Sequence, residues 1–369
     1  MHELDDIPRI RKIDRSNMLE KIDRMPAYLI EAMADFKESP LPQKLPEAEN
    51  VLLVGMGTSA IAGEVAVNWL AEHLKIPAMV IRDGRLPSFA DATTLTVVTS
   101  HSGDTQEALE ALVDAHHRRC QVVTISSGGK MKQVSEKLRI PHVEVRGGFE
   151  PRTAFPFLFV SSSLSIARLV PQKDFGGEIE EASLDLEKLR STIGWNVPYD
   201  RNPAKQLADE IKDTFPVVYC FQRNGGLARR MKNQLNENSK MPALFNLFPE
   251  ACHNEFESWR RLRQDEPEFS FTFLRLDETE DEKARVEEAK KVLTEAGMTK
   301  IYEVNGAGRT RASQLLSIIY FTDHVTFYIA VLRNIDPTPW ERIQELKKRV
   351  LRSTRFEERL DEALKKNRG

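Results

Sequence analysis

Cysteine is scarce in this 369-residue sequence, which has only Cys120, Cys220 and Cys252, with no two of them close together. Such a small, odd-numbered set excludes a disulfide framework and a cysteine-rich zinc site. An excess of one charge is also lacking, because 53 Lys and Arg nearly balance 56 Asp and Glu. A general binder of nucleic acid or of acidic membranes would need a basic surplus, so we expect neither partner.

Long hydrophobic runs are lacking as well. The first 30 residues contain no hydrophobic stretch of a signal peptide. No apolar run approaches the roughly 20 residues that span a bilayer. A hydrophobic share of 41 %, with 18 Phe, indicates a folded globular protein. We therefore expect a soluble, cytoplasmic protein that does not bind membranes.

Short apolar runs alternate with helical patterns in two parts of the chain. This alternation predicts an α/β protein with two doubly wound parallel sheets and with helical extensions at both ends. The predicted strands are residues 51–54, 78–81, 95–98, 120–125, 216–220, 269–274 and 300–304. The predicted divisions are an N-terminal helical extension (1–48), a first α/β domain (49–175), a linker (176–200), a second α/β domain (201–335) and a charged helical tail (336–369).

Two strand-to-helix turns in the first domain could hold a phosphate, because backbone N–H groups at a helix N-terminus bind anions. The first turn, residues 55–60, reads Gly-Met-Gly-Thr-Ser-Ala and fits the dinucleotide-binding pattern G-x-G-x-x-A. Asp83 follows the next strand, where a ribose-binding acid would be expected. This turn alone therefore leaves a nucleotide-dependent dehydrogenase open.

The second turn, residues 100–105, reads Ser-His-Ser-Gly-Asp-Thr and enters a helix at Gln106. Several hydroxyls and one Gly at a helix N-terminus suit a compact phosphate, which dinucleotide binding does not require. The alternative is a capping box, in which Asp104 or Ser102 caps the helix and Glu107 returns the hydrogen bond.

Six motifs, in order from about residue 50 to 350, resemble those of the bifunctional phosphoglucose/phosphomannose isomerases. They are residues 55–63, 100–105, 151–154, 236–240, 253–255 and 336–347. The resemblance implies two sugar-isomerase (SIS) domains and a homodimer. It also implies interconversion of fructose 6-phosphate with glucose 6-phosphate and mannose 6-phosphate through a cis-enediol(ate), as in glycolysis and gluconeogenesis, with no metal or other cofactor. Three positions depart from the family pattern, with Thr58, His101 and Asp104 standing where Gly, Tyr and Asn are common.

Moving a proton between C1 and C2 of a sugar requires a base, stabilisation of charge on O1 and O2, and a group that opens the ring. We assign the base to Glu237, at the predicted end of a helix, as the resemblance also implies. His253 suits ring opening because imidazole can accept and donate a proton near neutral pH. The resemblance implies that this His reaches the active site of the neighbouring subunit.

Further roles follow from the same chemistry and resemblance. Arg152 is expected to stabilise enediolate charge, and Lys347 to act as a second cation or ring-opening partner. Thr338 is expected to line the C1–C2 region, where a small side chain would let C2 present either face. The residues expected to bind the phosphate end of the substrate are Gly57, Ser59, Ser100, Ser102 and Thr105.

A non-catalytic SIS-type regulator that binds a sugar phosphate remains the main alternative. A sensor needs the phosphate turns but not Glu237, His253 and Lys347 together, so their joint presence favours an enzyme. Arg229 and Arg230 are interpreted as helix-surface charges.

Overall fold

The computed structural model describes residues 2–260 and 267–365. The strands are β1 Asn50–Val54, β2 Ala78–Ile81, β3 Thr94–Thr99, β4 Gln121–Ser126, β5 His142–Glu144, β6 Phe215–Phe221, β7 Leu244–Phe248, β8 Phe269–Arg275 and β9 Ile301–Asn305. The helices are α1 Ile7–Ile13, α2 Met18–Asp23, α3 Met25–Lys37, α4 Thr58–Leu70, α5 Gln106–His117, α6 Gly129–Leu138, α7 Phe155–Ala167, α8 Phe175–Ile193, α9 Pro203–Ile211, α10 Gly225–Glu237, α11 Glu280–Glu295, α12 Arg311–Leu332, α13 Glu341–Thr354 and α14 Phe356–Lys365.

The chain forms two compact units, each built from two separate segments. Unit 1 comprises Met1–Pro26 and Glu178–Thr338, and unit 2 comprises Ala27–Gly177 and Pro339–Gly369. The five domain divisions expected from the sequence stay a prediction.

Unit 2 contains a parallel sheet of strand order β2-β1-β3-β4-β5. Its two faces are both covered. Leu52 and Val54 of β1 pack in a cluster with α5 and with Phe356 of α14. Leu53, whose side chain points the other way, lies so close to Gly63 of α4 that a Cβ on that glycine would approach it to 3.1 Å. Continuous apolar strands between two helical layers confirm the doubly wound prediction.

Unit 1 contains a second parallel sheet of order β7-β6-β8-β9. Aromatic side chains dominate its core, with Tyr219 of β6 packing against Phe248, Phe271 and Phe273. The α/β class with two parallel sheets is therefore confirmed. The strands β5 and β7, one at an edge of each sheet, are additional to those predicted.

Helix α12 is the buried centre of unit 1. By length and composition alone its 22 residues could cross a membrane, so the expectation that no apolar run approaches the length that spans a bilayer is wrong. However, 89 % of its most apolar stretch is buried inside the protein, as in the core helix of a globular unit.

Candidate functional site

Three strand-to-helix turns meet at one edge of the unit 2 sheet. They follow β1, β3 and β4, which are neighbouring parallel strands, so their carboxyl ends lie side by side. Each turn leads into the N-terminus of a helix, and these helices are α4, α5 and α6 in that order. The two turns in which the sequence predicts phosphate binding are therefore adjacent.

His101, in the second turn, is hydrogen-bonded to both of the other turns. Its backbone N–H donates to Ser59 Oγ at 3.3 Å, and its carbonyl accepts from the N–H and the hydroxyl of Ser127 at 2.9 and 2.7 Å. Its buried ring lies with Nε2 3.1 Å from the carbonyl oxygen of Arg146. Burial lowers the pKa of the His101 imidazole, which favours the neutral ring. The His101 ring, at a position where Tyr is common in the family that the motifs resemble, therefore holds the second turn in place.

Hydroxyl groups line the second turn. Ser100, only 1 % exposed, donates to Thr105 Oγ1 at 2.9 Å, and its Oγ accepts from the N–H of Gly103 at 3.2 Å. Ser102 is exposed, and its Oγ accepts from the N–H of Asp104 at 3.2 Å. Because Thr105 accepts from Ser100, its own hydroxyl hydrogen is directed to another acceptor, such as a phosphate oxygen.

The capping-box alternative for the second turn is wrong. The residue that caps α5 is Thr105, and its side chain makes no capping hydrogen bond. Asp104 Oδ1 instead accepts from the N–H of Lys130, in the first turn of the following helix α6, at 3.0 Å. The Asp104 carboxylate therefore caps a neighbouring helix, and the first turn of α5 keeps backbone N–H donors for an anion.

Two glycines give these turns their shape. Gly57, the cap of α4, has φ +53°, and a Cβ there would meet nothing within 4 Å. Gly103 has φ +75°, and a Cβ there would lie 1.9 Å from the carbonyl oxygen of Gly128, so the second and third turns touch through bare backbone. Thr58 is the first residue of α4 rather than part of the turn, so its β-branched side chain does not strain the turn.

Two predicted cations also belong to unit 2. Arg152 is 1 % exposed and lies just before α7. Lys347 is exposed on α13, with its Nζ 5.4 Å from the centre of the Trp340 ring. The Lys347 ammonium group therefore contacts the residue that caps its own helix. The turns bring together the residues predicted to bind the phosphate, which are Gly57, Ser59, Ser100, Ser102 and Thr105.

Glu237 lies in unit 1 as the last residue of α10 and is half-buried. The next two residues anchor it to α12. Asn238 Nδ2 donates to Thr326 Oγ1 at 3.1 Å, and Ser239 Oγ donates to the Thr326 carbonyl at 2.7 Å. Both anchors are fully buried and hold the chain directly after Glu237. The predicted helix end at Glu237 is confirmed.

Lys240 joins Glu237 to the segment that carries Thr338. Its Nζ donates to the carbonyl of Glu237 and, at 3.2 Å, to the carbonyl of Pro337. Thr338 is half-buried, and its N–H donates to Asp336 Oδ1 at 3.0 Å. Sequence reasoning included Lys240 in a motif but gave it no role. Its left-handed backbone, with φ +53°, follows directly after the helix end.

Arg230 corrects the expectation of a helix-surface charge. Its side chain is 1 % exposed and donates to Asp323 of α12 from Nε at 3.1 Å and from Nη2 at 2.5 Å. Gln234 Nε2 donates to the same carboxylate at 3.2 Å. A single Asp within the apolar helix α12 was the signal in the sequence, because a buried carboxylate needs a cation.

His253 is exposed, at the end of the 3-10 turn Glu250–His253 that follows β7. The neighbouring Glu255 accepts hydrogen bonds from Tyr219 Oη at 2.5 Å and from Asn246 Nδ2. Tyr219 Oη in turn accepts from Trp259 Nε1 at 2.8 Å. Burial, followed by the hydrogen bond to Glu255, raises the pKa of Tyr219 far above its ordinary value. The segment carrying His253 is thus fixed to β6 and β7.

Metal ligands do not cluster among the residues that the structure describes: no group of three or more His, Cys, Asp or Glu side chains there could hold an ion.

Comparison with known proteins gives consistent matches. A model described as the bacterial phospho-glucose isomerase C-terminal SIS domain matches residues 200–350. The bifunctional phosphoglucose/phosphomannose isomerase of Caldicellulosiruptor bescii is 31 % identical over 90 % of this chain and 98 % of its own length. The protein of the same name from Aquifex aeolicus is 31 % identical over 85 % of this chain and 94 % of its own length.

Among solved structures, tagatose-6-phosphate ketose/aldose isomerase from Escherichia coli matches with a TM-score of 0.66 at 15 % identity. The match covers 87 % of this chain and 95 % of that one, and it shows the fold alone. The matches to the Caldicellulosiruptor and Aquifex proteins extend over nearly the whole length of each relative. The chain therefore belongs to the family of bifunctional phosphoglucose/phosphomannose isomerases.

Proposed function

We propose that this protein is a metal-independent aldose–ketose isomerase that interconverts fructose 6-phosphate with glucose 6-phosphate and mannose 6-phosphate. The observation that carries the proposal is the 31 % identity, over 90 % of the chain, to a relative that bears both activities in its name. The turns of unit 2 support it, since two helix N-termini and three hydroxyls converge where a sugar phosphate would be anchored.

In this mechanism Glu237 is the base. With the sugar ring open, its carboxylate removes the proton from C2 of the aldose, giving a cis-enediolate, and returns it to C1 to give the ketose. The charge that develops on O1 and O2 is stabilised by Arg152, a buried guanidinium. Thr338 lines the C1–C2 region, and its small side chain lets either face of C2 receive the proton, so both epimeric aldoses form.

Ring opening requires a proton to leave the O1 hydroxyl and another to reach O5. His253 carries out this exchange, with Lys347 as its cationic partner. The exposure of His253 in this chain is what a residue donated to a neighbouring subunit requires. In this proposal the active enzyme is a homodimer with shared active sites. It acts in the cytoplasm, in glycolysis and gluconeogenesis.

Glu237→Gln tests the assignment of the base. The variant keeps the shape of the side chain but cannot accept the proton, so kcat for both aldose phosphates should fall at least about 100-fold while substrate binding stays nearly intact. Assays with fructose 6-phosphate and EDTA, following both products, measure this. Glu295→Gln, which also changes the last residue of a unit 1 helix (α11), is the matched control and should leave turnover unchanged. Normal turnover by Glu237→Gln would exclude it as the base.

Mixing Glu237→Gln and His253→Ala proteins tests the shared site. Each alone is inactive, but a hybrid dimer contains one site with both residues intact. After random exchange of subunits, half of the dimers are hybrids with one good site each, so about a quarter of wild-type activity should return. No recovery despite verified exchange would contradict a shared site.

The alternative is a regulator that binds sugar phosphates without converting them. The same assay separates the two functions, because a regulator would bind fructose 6-phosphate yet yield neither aldose phosphate in the wild type. Glu237 and its anchors to α12 favour the enzyme, since a sensor needs no fixed carboxylate there.

A further inference from the structure

Unit 2 contains a cavity of about 620 Å³ away from the three turns. It is bounded by the carboxyl end of α3, the coil that follows, the carboxyl end of α7 and the segment leading into α8. None of the predicted substrate-binding residues lines it. Its size falls within the range of small-molecule binding sites.

The charges around this cavity are mostly positive. Lys37, Lys44, Arg168 and Lys173 line it, against a single carboxylate, Asp174. Cations at the carboxyl ends of helices complement the helix dipole, which accounts for Lys37 and Arg168 at the ends of α3 and α7. Lys44 and Lys173 lie outside helices, so the dipole does not account for them.

Arg168 is half-buried and has no counter-ion among the residues that the structure describes. Its guanidinium lies over the Phe36 ring, 5.4 Å from the ring centre, and Nη1 donates to the amide oxygen of Gln43. Nε is buried without a hydrogen-bond partner among the described residues, and no described carboxylate lies within ion-pair distance of the side chain. Burial lowers the pKa of Arg168, because the cation loses water without gaining an anion.

The remaining wall of the cavity is apolar. Met33 and Phe36 of α3, Leu164 and Ala167 of α7, and Phe175 supply it. An occupant that used both parts of the cavity would carry an anionic group toward the guanidinium and an apolar body against these side chains.

We propose that this cavity is a binding site for a small organic anion, separate from the sugar-phosphate site, in which Arg168 pairs with a phosphate or carboxylate group and the apolar wall holds the rest of the ligand. Such a ligand would supply the counter-ion that the described part of the chain does not provide for Arg168. A bidentate guanidinium–oxyanion pair would also use donors that Gln43 leaves available.

Isothermal titration calorimetry with phenyl phosphate tests this site. Saturating fructose 6-phosphate occupies the turns, so the signal comes from the second cavity. Arg168→Gln should weaken phenyl phosphate binding at least about tenfold. Arg146→Gln is the matched control, because Arg146 also lies over an aromatic ring, Phe157, but is paired with Glu31 and Asp35. It should bind as the wild type does.

Lys44 is exposed and lies in coil, so Lys44→Gln should fold normally. This variant should also weaken binding, and it keeps the test valid if Arg168→Gln fails to fold. Benzoate in place of phenyl phosphate distinguishes a carboxylate ligand from a phosphate ligand. Absence of saturable binding in the wild type, unchanged binding in folded Arg168→Gln and Lys44→Gln, or equal weakening in Arg146→Gln would each overturn the proposal. These outcomes are independent of isomerase activity.

Discussion

Asp323→Asn perturbs the buried ion pair that holds α10, the helix ending at Glu237, against α12. The Asp323 carboxylate accepts two hydrogen bonds from Arg230 and one from Gln234, and both charged side chains are 1 % exposed. Asn preserves the shape but removes the charge, which leaves the guanidinium buried without its anion. Removing one partner of a buried pair costs about 3–5 kcal/mol, so the free energy of unfolding of unit 1 should fall by about that amount.

The double variant Arg230→Met with Asp323→Leu separates charge burial from packing. Apolar residues of similar volume need no counter-ion, so the double variant should be within about 1 kcal/mol of the wild type or more stable. Two turns of helix separate Arg230 from Glu237, and Asn238 and Ser239 still anchor the helix end. The double variant should therefore keep most of its isomerase activity.

Urea unfolding followed by tryptophan fluorescence measures these effects. Trp195 and Trp259 lie in unit 1, whereas Trp69 and Trp340 lie in unit 2. Replacing Trp69 and Trp340 by Phe in every variant confines the signal to unit 1. A loss below about 1 kcal/mol for Asp323→Asn, or an equal loss in the double variant, would refute the view that an unpaired buried charge dominates the cost.

Two further predictions concern the strand-to-helix turns of unit 2. Because burial lowers the pKa of His101, below pH about 6.5 the unfolded chain takes up a proton that the folded chain does not, so the free energy of unfolding should fall with acidification by up to about 1.4 kcal/mol per pH unit. His101→Gln should flatten this dependence between pH 6.5 and 5 in urea unfolding, and an unchanged slope would contradict the assignment. Gly103→Ala should destabilise unit 2 by about 2 kcal/mol or more beyond Gly57→Ala, since both carry positive φ but only the former drives a Cβ into a carbonyl oxygen. Equal losses in urea unfolding would show that the close approach to Gly128 is unimportant.

The sequence predicts all five strands that lie inside the two sheets, and the edge strands β2 and β9 as well. Residues 51–54, 95–98 and 216–220 are runs of mostly apolar residues. Such runs are typical of strands that are covered by helices on both faces of a sheet. The strands β5 and β7 were not predicted, because each is an edge strand that contains polar residues, such as His142, Glu144 and Asn246. In β5 two of the three residues are polar, so its composition resembles that of a loop.

The position of the strand-to-helix turns in unit 2 was predictable because the signal is local: a strand end, a glycine and hydroxyls within six residues. Phosphate binding by these turns stays a prediction. The partners of Asp104 and Arg230 were not predictable. Asp104 caps a helix 26 residues onward, and Arg230 pairs with a residue 93 positions away. Both side chains look like ordinary surface charges until the fold supplies the partner, and only an isolated Asp in an apolar helix hinted at one of them.

Lys347 shows why a residue on an exposed helix is hard to assign from one chain. No residue of α13 is buried, yet Ile343, Leu346 and Val350 form an apolar ridge that is 40 %, 62 % and 41 % exposed. Lys347 stands one turn after Ile343, on the same side of the helix. Whatever surface covers this ridge therefore also sets the position of the Lys347 ammonium group. In the proposed homodimer, burial of the ridge and delivery of that cation would be a single event, which couples assembly to catalysis.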